Sequence, residues 1–451
     1  MGHTRTVLVA IGAAAGAASA GTIGPDIVVS AIHNTARWGE FAGIGAYSIG
    51  TVSCNLGDTN ADWYAGTSAH PVIAQNLYRL SDGRFVQIGM SWVKHGFFAV
   101  NQSACAPCAT PPGSVLGVGC SDPYDASLNG DQYRLGPRSD INAWTGEFPV
   151  PSTFGWQQIG PIVYKRALVP GTEMDPLQHP GARYFAEGQY VARDDALAGN
   201  QMNNVSYREF LPERPSSGSF DLILTGPTFL EQPAIFAWRD IDPLVEITTV
   251  DVPDDGRMHV AVRVYDLGSG LWRYEYALHN MNSHRSAASF RVPIAAGTIV
   301  SQTGFRDVEY HSGEPISSQD WTLTVDPGEV RWETQGFVAD PNANAVRWGT
   351  VYNFWFTADR PPAPTDAAIG LFRPGTPDQV SVGLLAPAVP PPQCTADANN
   401  DGQTNGADLS VLLTMFGGVA DPPGSGADFN GDGDVNGADL SILLSEFGCG
   451  T

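Results

Sequence analysis

Two segments near the C-terminal end are copies of one another. Asp397 to Gly417 and Asp428 to Gly448 share 14 identities over 21 positions at a spacing of 31 residues, so one local fold must serve both. Each copy opens on oxygen-bearing side chains at alternate positions. In the first these are Asp397, Asn399, Asp401, Gln403, Asn405 and Asp408; in the second, Asp428, Asn430, Asp432, Asp434, Asn436 and Asp439. Gly402 and Gly433 stand sixth in each run. Calcium is a hard cation that takes six to eight oxygens, and a twelve-residue loop supplies them from positions 1, 3, 5, 7, 9 and 12 with a glycine at 6 for the sharp turn. Both loops meet that pattern, so two Ca2+ ions are expected. Position 7 contributes the backbone carbonyl of Gln403 or Asp434, and position 9, Asn405 or Asn436, often acts through water. Position 12 is aspartate rather than the longer glutamate, which predicts weaker binding than in a sensor loop. After the loops, Leu409, Leu412, Leu413 and Phe416, and likewise Leu440, Leu443, Leu444 and Phe447, recur at helical spacing. Each loop should therefore lead into a helix with one apolar face.

A calcium loop followed by a helix, twice over and with no entering helix, resembles the type I dockerins, modules that plug enzymes and structural proteins into cohesin-bearing partners. The resemblance covers Cys394 to Thr451. The final Gly448-Cys449 is similar to the ending of dockerin variants on secreted proteins of planctomycete-type bacteria. It implies a cohesin-like protein as partner, and module ends brought together so that Cys394 and Cys449 bond. One departure bears on the partner: the tail holds nine acidic residues and no Lys or Arg, whereas cellulosomal dockerins place basic residues on the helices that meet cohesin.

The opening residues 1–20 read as a signal peptide. Val7 to Ala18 is apolar or small and Ala18-Ser19-Ala20 fits a small-x-small cleavage site, which predicts a secreted chain, extracellular or at the cell surface, starting at Gly21. The apolar stretch is too short to span a bilayer, so no membrane insertion is expected. Net charge is -23 and the only lysines are Lys94 and Lys165; phosphate backbones find little to bind here, which argues against nucleic acid as a partner. Six cysteines in an exported chain predict disulfides. Cys54, Cys105, Cys108 and Cys120 should form two, in a pairing the spacing leaves open. Cys105 and Cys108 have the spacing of half a zinc site, but a second pair at ligand spacing is missing.

The expected fold class is mainly β: a loop-rich β domain with disulfides over 21–219, an antiparallel β-sandwich over 220–385, a Pro-rich linker at 386–393, and the small α-helical calcium-binding, dockerin-like module at 394–451. Hairpins are written at Leu77 to Met90 around Asp82-Gly83, at Met258 to Leu278 around Leu267 to Gly270, and at Trp321 to Glu333 around Asp326 to Gly328. Ser91 to Val100 and Val351 to Thr357 read as further strands.

The chemistry of the body is less open to reading. It has no H-E-x-x-H, G-x-S-x-G or G-x-x-x-x-G-K motif. Glu40, Asp58, Asp62, Asp122, Asp131, Asp140 and Glu147 are among many carboxylates from which a glycosidase pair could be drawn, and sequence does not pair them, so catalytic residues are unknown. His70, His95, Met90 and Asp122 lie in one unusual segment and are candidates for a metal or catalytic site. Eleven tryptophans could include a sugar-stacking platform. The body also resembles a group of exported proteins sharing the stretches Gln87–Phe97 and Arg347–Phe354, a likeness that implies no activity. The expectation is a binding or structural body, with polysaccharide as a candidate ligand; the alternative is a polysaccharide-degrading glycoside hydrolase or lyase.

Overall fold

The computed structural model of the chain describes residues 23–150, 159–215, 218–309, 314–387 and 394–449. The signal peptide expected at 1–20 and most of the proline run lie outside them. The body is built from antiparallel sheets, and the tail adds two short helices.

In the first half, Ile27–Phe41, Ile44–Asn55 and Ala167–Pro170 form one sheet, with Ser121–Tyr124 also paired to Ile44–Asn55. Val72–Ser81 runs through the middle of a seven-stranded sheet, between Arg183–Val191 on one side and Arg84–Met90 and Val93–His95 on the other. Its Gln75, Asn76 and Arg79 are buried with the rest. Continuous burial means a strand covered on both faces, and each polar side chain then needs a partner. Gln75 accepts from Ile49 N at 2.7 Å and donates to the Asn129 carbonyl at 2.9 Å; Asn76 donates to Glu187 at 2.8 Å. The strand expected over Ser91 to Val100 is confined to Val93–His95: Gly96 N still bonds the Pro71 carbonyl opposite it, but proline has no N–H to return and the ladder ends. The strand Asp221–Phe229 pairs with Val205–Glu213, so the sheet of the first half runs past position 219.

The second half is a sandwich of two five-stranded sheets. Between them lies an aromatic core that includes Tyr274, Tyr276, Phe290, Trp332, Phe354 and Phe356. Thr350–Ala358 shows how the halves join. Its Tyr352, Phe354 and Phe356 face the sandwich core, while Val351 packs with Tyr78, Phe85, Trp238, Ala261 and Ala277 in a separate cluster shared by both halves. Period-2 alternation thus gives this strand two buried faces. Along the seam, Gln87 accepts from Val351 N at 2.8 Å and donates to the Gly349 carbonyl at 3.2 Å, and Asn353 donates to the Phe85 carbonyl at 2.8 Å. Arg84 makes a bidentate bridge to Glu275 at 2.7 and 2.8 Å and lies 3.5 Å over the Trp355 ring. The stretches Gln87–Phe97 and Arg347–Phe354 therefore meet each other across the seam between the halves.

Disulfides link Cys54 to Cys105, Cys108 to Cys120 and Cys394 to Cys449. The first two fasten the loop around residues 104–119, whose one short strand is Val115–Leu116. Such bonds point to an oxidising environment. Among the described residues no helix is long and apolar enough to cross a membrane.

Candidate metal centre

The tail folds as two loop–helix copies, with helices at Gly406–Met415 and Gly437–Ser445. The copies hold one another through equivalent bonds. Thr404 N donates to the Cys449 carbonyl and Gly448 N to the Thr404 carbonyl; 31 residues out of step, Val435 N donates to the Gly418 carbonyl and Gly417 N to the Val435 carbonyl. The Cys394–Cys449 bond and the Glu446 carboxylate, which accepts from Thr395 and from Ala396 N, close the module's ends.

In the first loop Asp397, Asp401 and Asp408 present carboxylate oxygens within 4.8 Å of one another, and among the described residues this is the one place where three such groups gather. Asp408 is fully buried and accepts from Asn399 N at 3.2 Å and Asn405 N at 2.8 Å. Asn405 caps the helix by accepting from Ala407 N, completing a capping box with Asp408. Gly402 has φ +86°, the left-handed turn that the sixth position demands. Asn399 is exposed and donates to Asp401, and Gln403 N bonds Asp401. Three carboxylates converging with no basic side chain in the tail are a donor set that fits a hard divalent cation.

The second loop repeats the frame and differs in one arm. Asp439 is buried and accepts from Phe429 N, Asn430 N and Asn436 N, and Asn436 caps its helix as Asn405 does. Asp432 is exposed and accepts from Asp434 N and from Asn430. Asp397 accepts from Asp401 N and Gly402 N at 3.1 and 2.7 Å, whereas Asp428 takes three amides, Gly424 N, Gly431 N and Gly433 N at 2.8, 2.9 and 2.8 Å.

The apolar spacing after the loops divides in two. Leu412 and Leu443 are fully buried with Ala396, Ala420, Ala427 and Val435, and Leu409 and Leu440 pack beside them. Leu413, Phe416, Leu444 and Phe447, expected on the same inward face, are 60%, 49%, 57% and 52% exposed. A module this small has one thin core, and the outer row of each helix finds nothing to cover it.

Of the candidates in the body only the two histidines are seen to meet, and among the described residues no group of three metal-ligating side chains gathers there. His70 Nε2 and His95 Nδ1 lie 2.9 Å apart and both rings pack on Phe148. Burial lowers the His70 pKa to about 4. Met90 belongs to the sandwich core, and Asp122 accepts from Val100 N at 2.7 Å. Asp58 accepts from Gly24 N and Asp131 caps a short 3-10 turn, as loop carboxylates do. The described tryptophans are all buried or half-buried.

No family model and no curated protein matches the chain. Among solved structures it is similar to the N-terminal domain of the Streptococcus gordonii adhesin Sgo0707, at 8% identity over 82% of this chain and 99% of that one, with a TM-score of 0.18. A likeness of that size carries no argument.

Proposed function

We propose that the chain is a secreted protein carried to a cell surface or protein assembly by its tail, a dockerin-like module that binds two Ca2+ ions and docks on a cohesin-like protein, while the β body has a binding or structural role. The observation that supports docking is the exposed apolar quartet. Leu413 with Phe416, and Leu444 with Phe447, stand at matched positions of two copies related by the repeat. Exposed apolar residues grouped on a small module mark an interaction surface. With no base in the tail, calcium offsets the acidic loops and sets the helices that carry the quartet. When bound, the ions supply charge compensation; the residues that would hold them are those at loop positions 1, 3, 5, 7, 9 and 12 in each copy.

The test is capture of the full chain by an immobilised type I cohesin domain. Capture should require calcium, reverse with chelator, and be lost in the double variant Leu413→Asp, Leu444→Asp. Capture that ignores both chelator and variant would overturn the reading.

A second reading, a polysaccharide-degrading enzyme, is favoured by one cleft of about 250 Å3 lined by Glu173, Arg306, Asp307 and Glu309. Burial raises the Asp307 carboxyl to about 6. Burial also pushes Glu173 up, but Arg306 and Arg79 outweigh it and hold its pKa below the usual value. Two carboxyls driven apart in this way are the pattern of a proton donor beside an ionised partner. Reducing ends released from a polysaccharide panel by the wild type and not by Asp307→Asn would establish this reading.

A further inference from the structure

Four asparagines in the chain stand directly before glycine: Asn129, Asn405, Asn430 and Asn436. That pair is chemically fragile. Asparagine is thermolabile because the amide nitrogen of the next residue can attack its side-chain Cγ, and a glycine, having no Cβ, lets the two atoms approach. The C–N bond of the side-chain amide then breaks, ammonia leaves with the proton of the attacking nitrogen, and a cyclic imide remains. Water opens the imide on either side, giving aspartate or isoaspartate. A given pair survives when its two reacting groups are held apart.

Asn129 is held by the body. It is fully buried, its Nδ2 donates to the Ile49 carbonyl at 2.9 Å and the Thr51 hydroxyl at 3.2 Å, and Gly130 N donates to the Ala126 carbonyl. All of these acceptors are neutral. Asn430 is exposed, and the bonds that hold it lie within the second loop. Its N–H donates to Asp439 at 3.2 Å, its Oδ1 accepts from Asp432 N at 3.0 Å, its Nδ2 donates to the Asp432 carboxylate at 2.8 Å, and Gly431 N donates to Asp428 at 2.9 Å. Three of these four bonds end on carboxylates. The tail has nine acidic residues and no Lys or Arg to hold such groups together. The lock on Asn430 therefore lasts only while a cation offsets their repulsion.

The first loop puts the same lock on a different pair. Asn399 is exposed, its N–H donates to Asp408 at 3.2 Å, its Oδ1 accepts from Asp401 N at 3.0 Å and its Nδ2 donates to Asp401 at 2.8 Å. Position 4 there is Asn400, at φ +58°, where the second loop has Gly431 at φ +73°. A side chain at that position hinders the attack, so the copies differ in lability and share their frame. The caps Asn405 and Asn436 precede glycine in both copies and do not separate them.

We propose that Asn430 is a deamidation site guarded by calcium. In the loaded module it persists; once the second loop is empty, its side chain closes on Gly431 N and the amide is lost. Isoaspartate lengthens the main chain by one carbon between positions 3 and 4, so the ligands fall out of register and the second site does not refill. Time spent without calcium is thereby recorded as a permanent loss. The inference rests on the calcium reading of the tail and is independent of which partner the tail meets.

The test incubates the full chain, disulfides intact, in calcium or in chelator at equal ionic strength. Peptide mass spectrometry follows the amide-to-acid mass shift at each asparagine, enzymatic carboxyl methylation confirms isoaspartate, and calorimetry on the same stock reports calcium uptake. With calcium at about 100 times its dissociation constant the open loop is up to about 100-fold rarer, so deamidation at Asn430 should slow by up to that factor relative to chelator. Asn129 should stay intact in both. Protein returned to calcium after chelation should take up fewer ions, in proportion to the acid formed at Asn430. Gly431→Asn, which copies the first loop, should abolish the loss at Asn430, and Asn400→Gly should create one at Asn399. Calcium uptake with equal rates at Asn430 in calcium and chelator, or exchanged position-4 residues that leave the lesion where it was, would overturn the inference alone. No calcium uptake at all would overturn the calcium reading and the inference with it.

Discussion

The ligand aspartates of the second loop should separate into two energetic classes. Asp432 is exposed, so Asp432→Ala removes a ligand and little else. Asp439 is buried and accepts three backbone N–H groups, so Asp439→Ala removes a ligand and orphans three donors. With free calcium at about 100 times the dissociation constant, one lost ion costs about 2.7 kcal/mol. Three hydrogen bonds at about 1 kcal/mol each add about 3 kcal/mol. Hydrogen exchange followed by mass spectrometry on the full chain reads these as protection of the peptide spanning the second helix. Asp432→Ala should lower protection about 100-fold, and Asp439→Ala a further ~150-fold, since each 1.4 kcal/mol is tenfold. Peptides of the body should be unmoved by either. Chelation should erase the difference between Asp432→Ala and wild type. Equal losses in the two variants, or a difference that survives chelation, would refute the reasoning.

Because Asp428 holds one backbone amide more than Asp397 while Asp397, Asp401 and Asp408 already converge, calcium titration should fill the first loop before the second; Asp397→Ala should then abolish the tighter step seen by calorimetry. The Cys394–Cys449 bond spans 55 residues and on the chain-entropy model stabilises the tail by about 4 kcal/mol; the Cys394→Ser, Cys449→Ser protein should show that loss in calcium-saturated denaturant unfolding. Gln87→Leu strips partners from Val351 N and the Gly349 carbonyl and should cost about 2–4 kcal/mol in a single unfolding transition for both halves; two separated transitions would contradict a shared seam. Burial raises the Asp122 pKa from 3.8 to about 7. The folded form therefore keeps a proton that the unfolded form releases, and wild-type stability falls as pH rises from about 4 to about 7. Asp122→Asn lacks this slope, so its advantage in urea midpoint should grow over that window and level off above it; a constant difference would contradict the assignment.

Local signals were legible where one residue dictates the backbone. Asp82 and Gly83, at φ +53° and +74°, turn the hairpin that the sequence announces, and Gly402 and Gly433 do the same for the loops. The Cys394–Cys449 bond followed from the likeness of the tail to a paired module. What escaped was set by distance and by scarcity of surface. Asp221–Phe229 carries the same alternation whichever sheet it joins, so nothing in it reveals that its partner is Val205–Glu213. Spacing placed Leu413 and Phe416 on an apolar face but could not tell that the core beneath takes Leu412 with Leu409 beside it and leaves the outer row uncovered.

That seam also orders events in time. Gln87 and Val351 are 264 residues apart, and Phe85 and Asn353 are 268 apart, so the seam bonds of the first half wait unmade until almost the whole body has left the ribosome. Contacts of such separation form slowly, and exposed strands invite association while they wait. A body cut short before Thr350 should accumulate as aggregate rather than as a folded half, because the cluster of Tyr78, Phe85, Trp238, Ala261 and Ala277 would lack Val351.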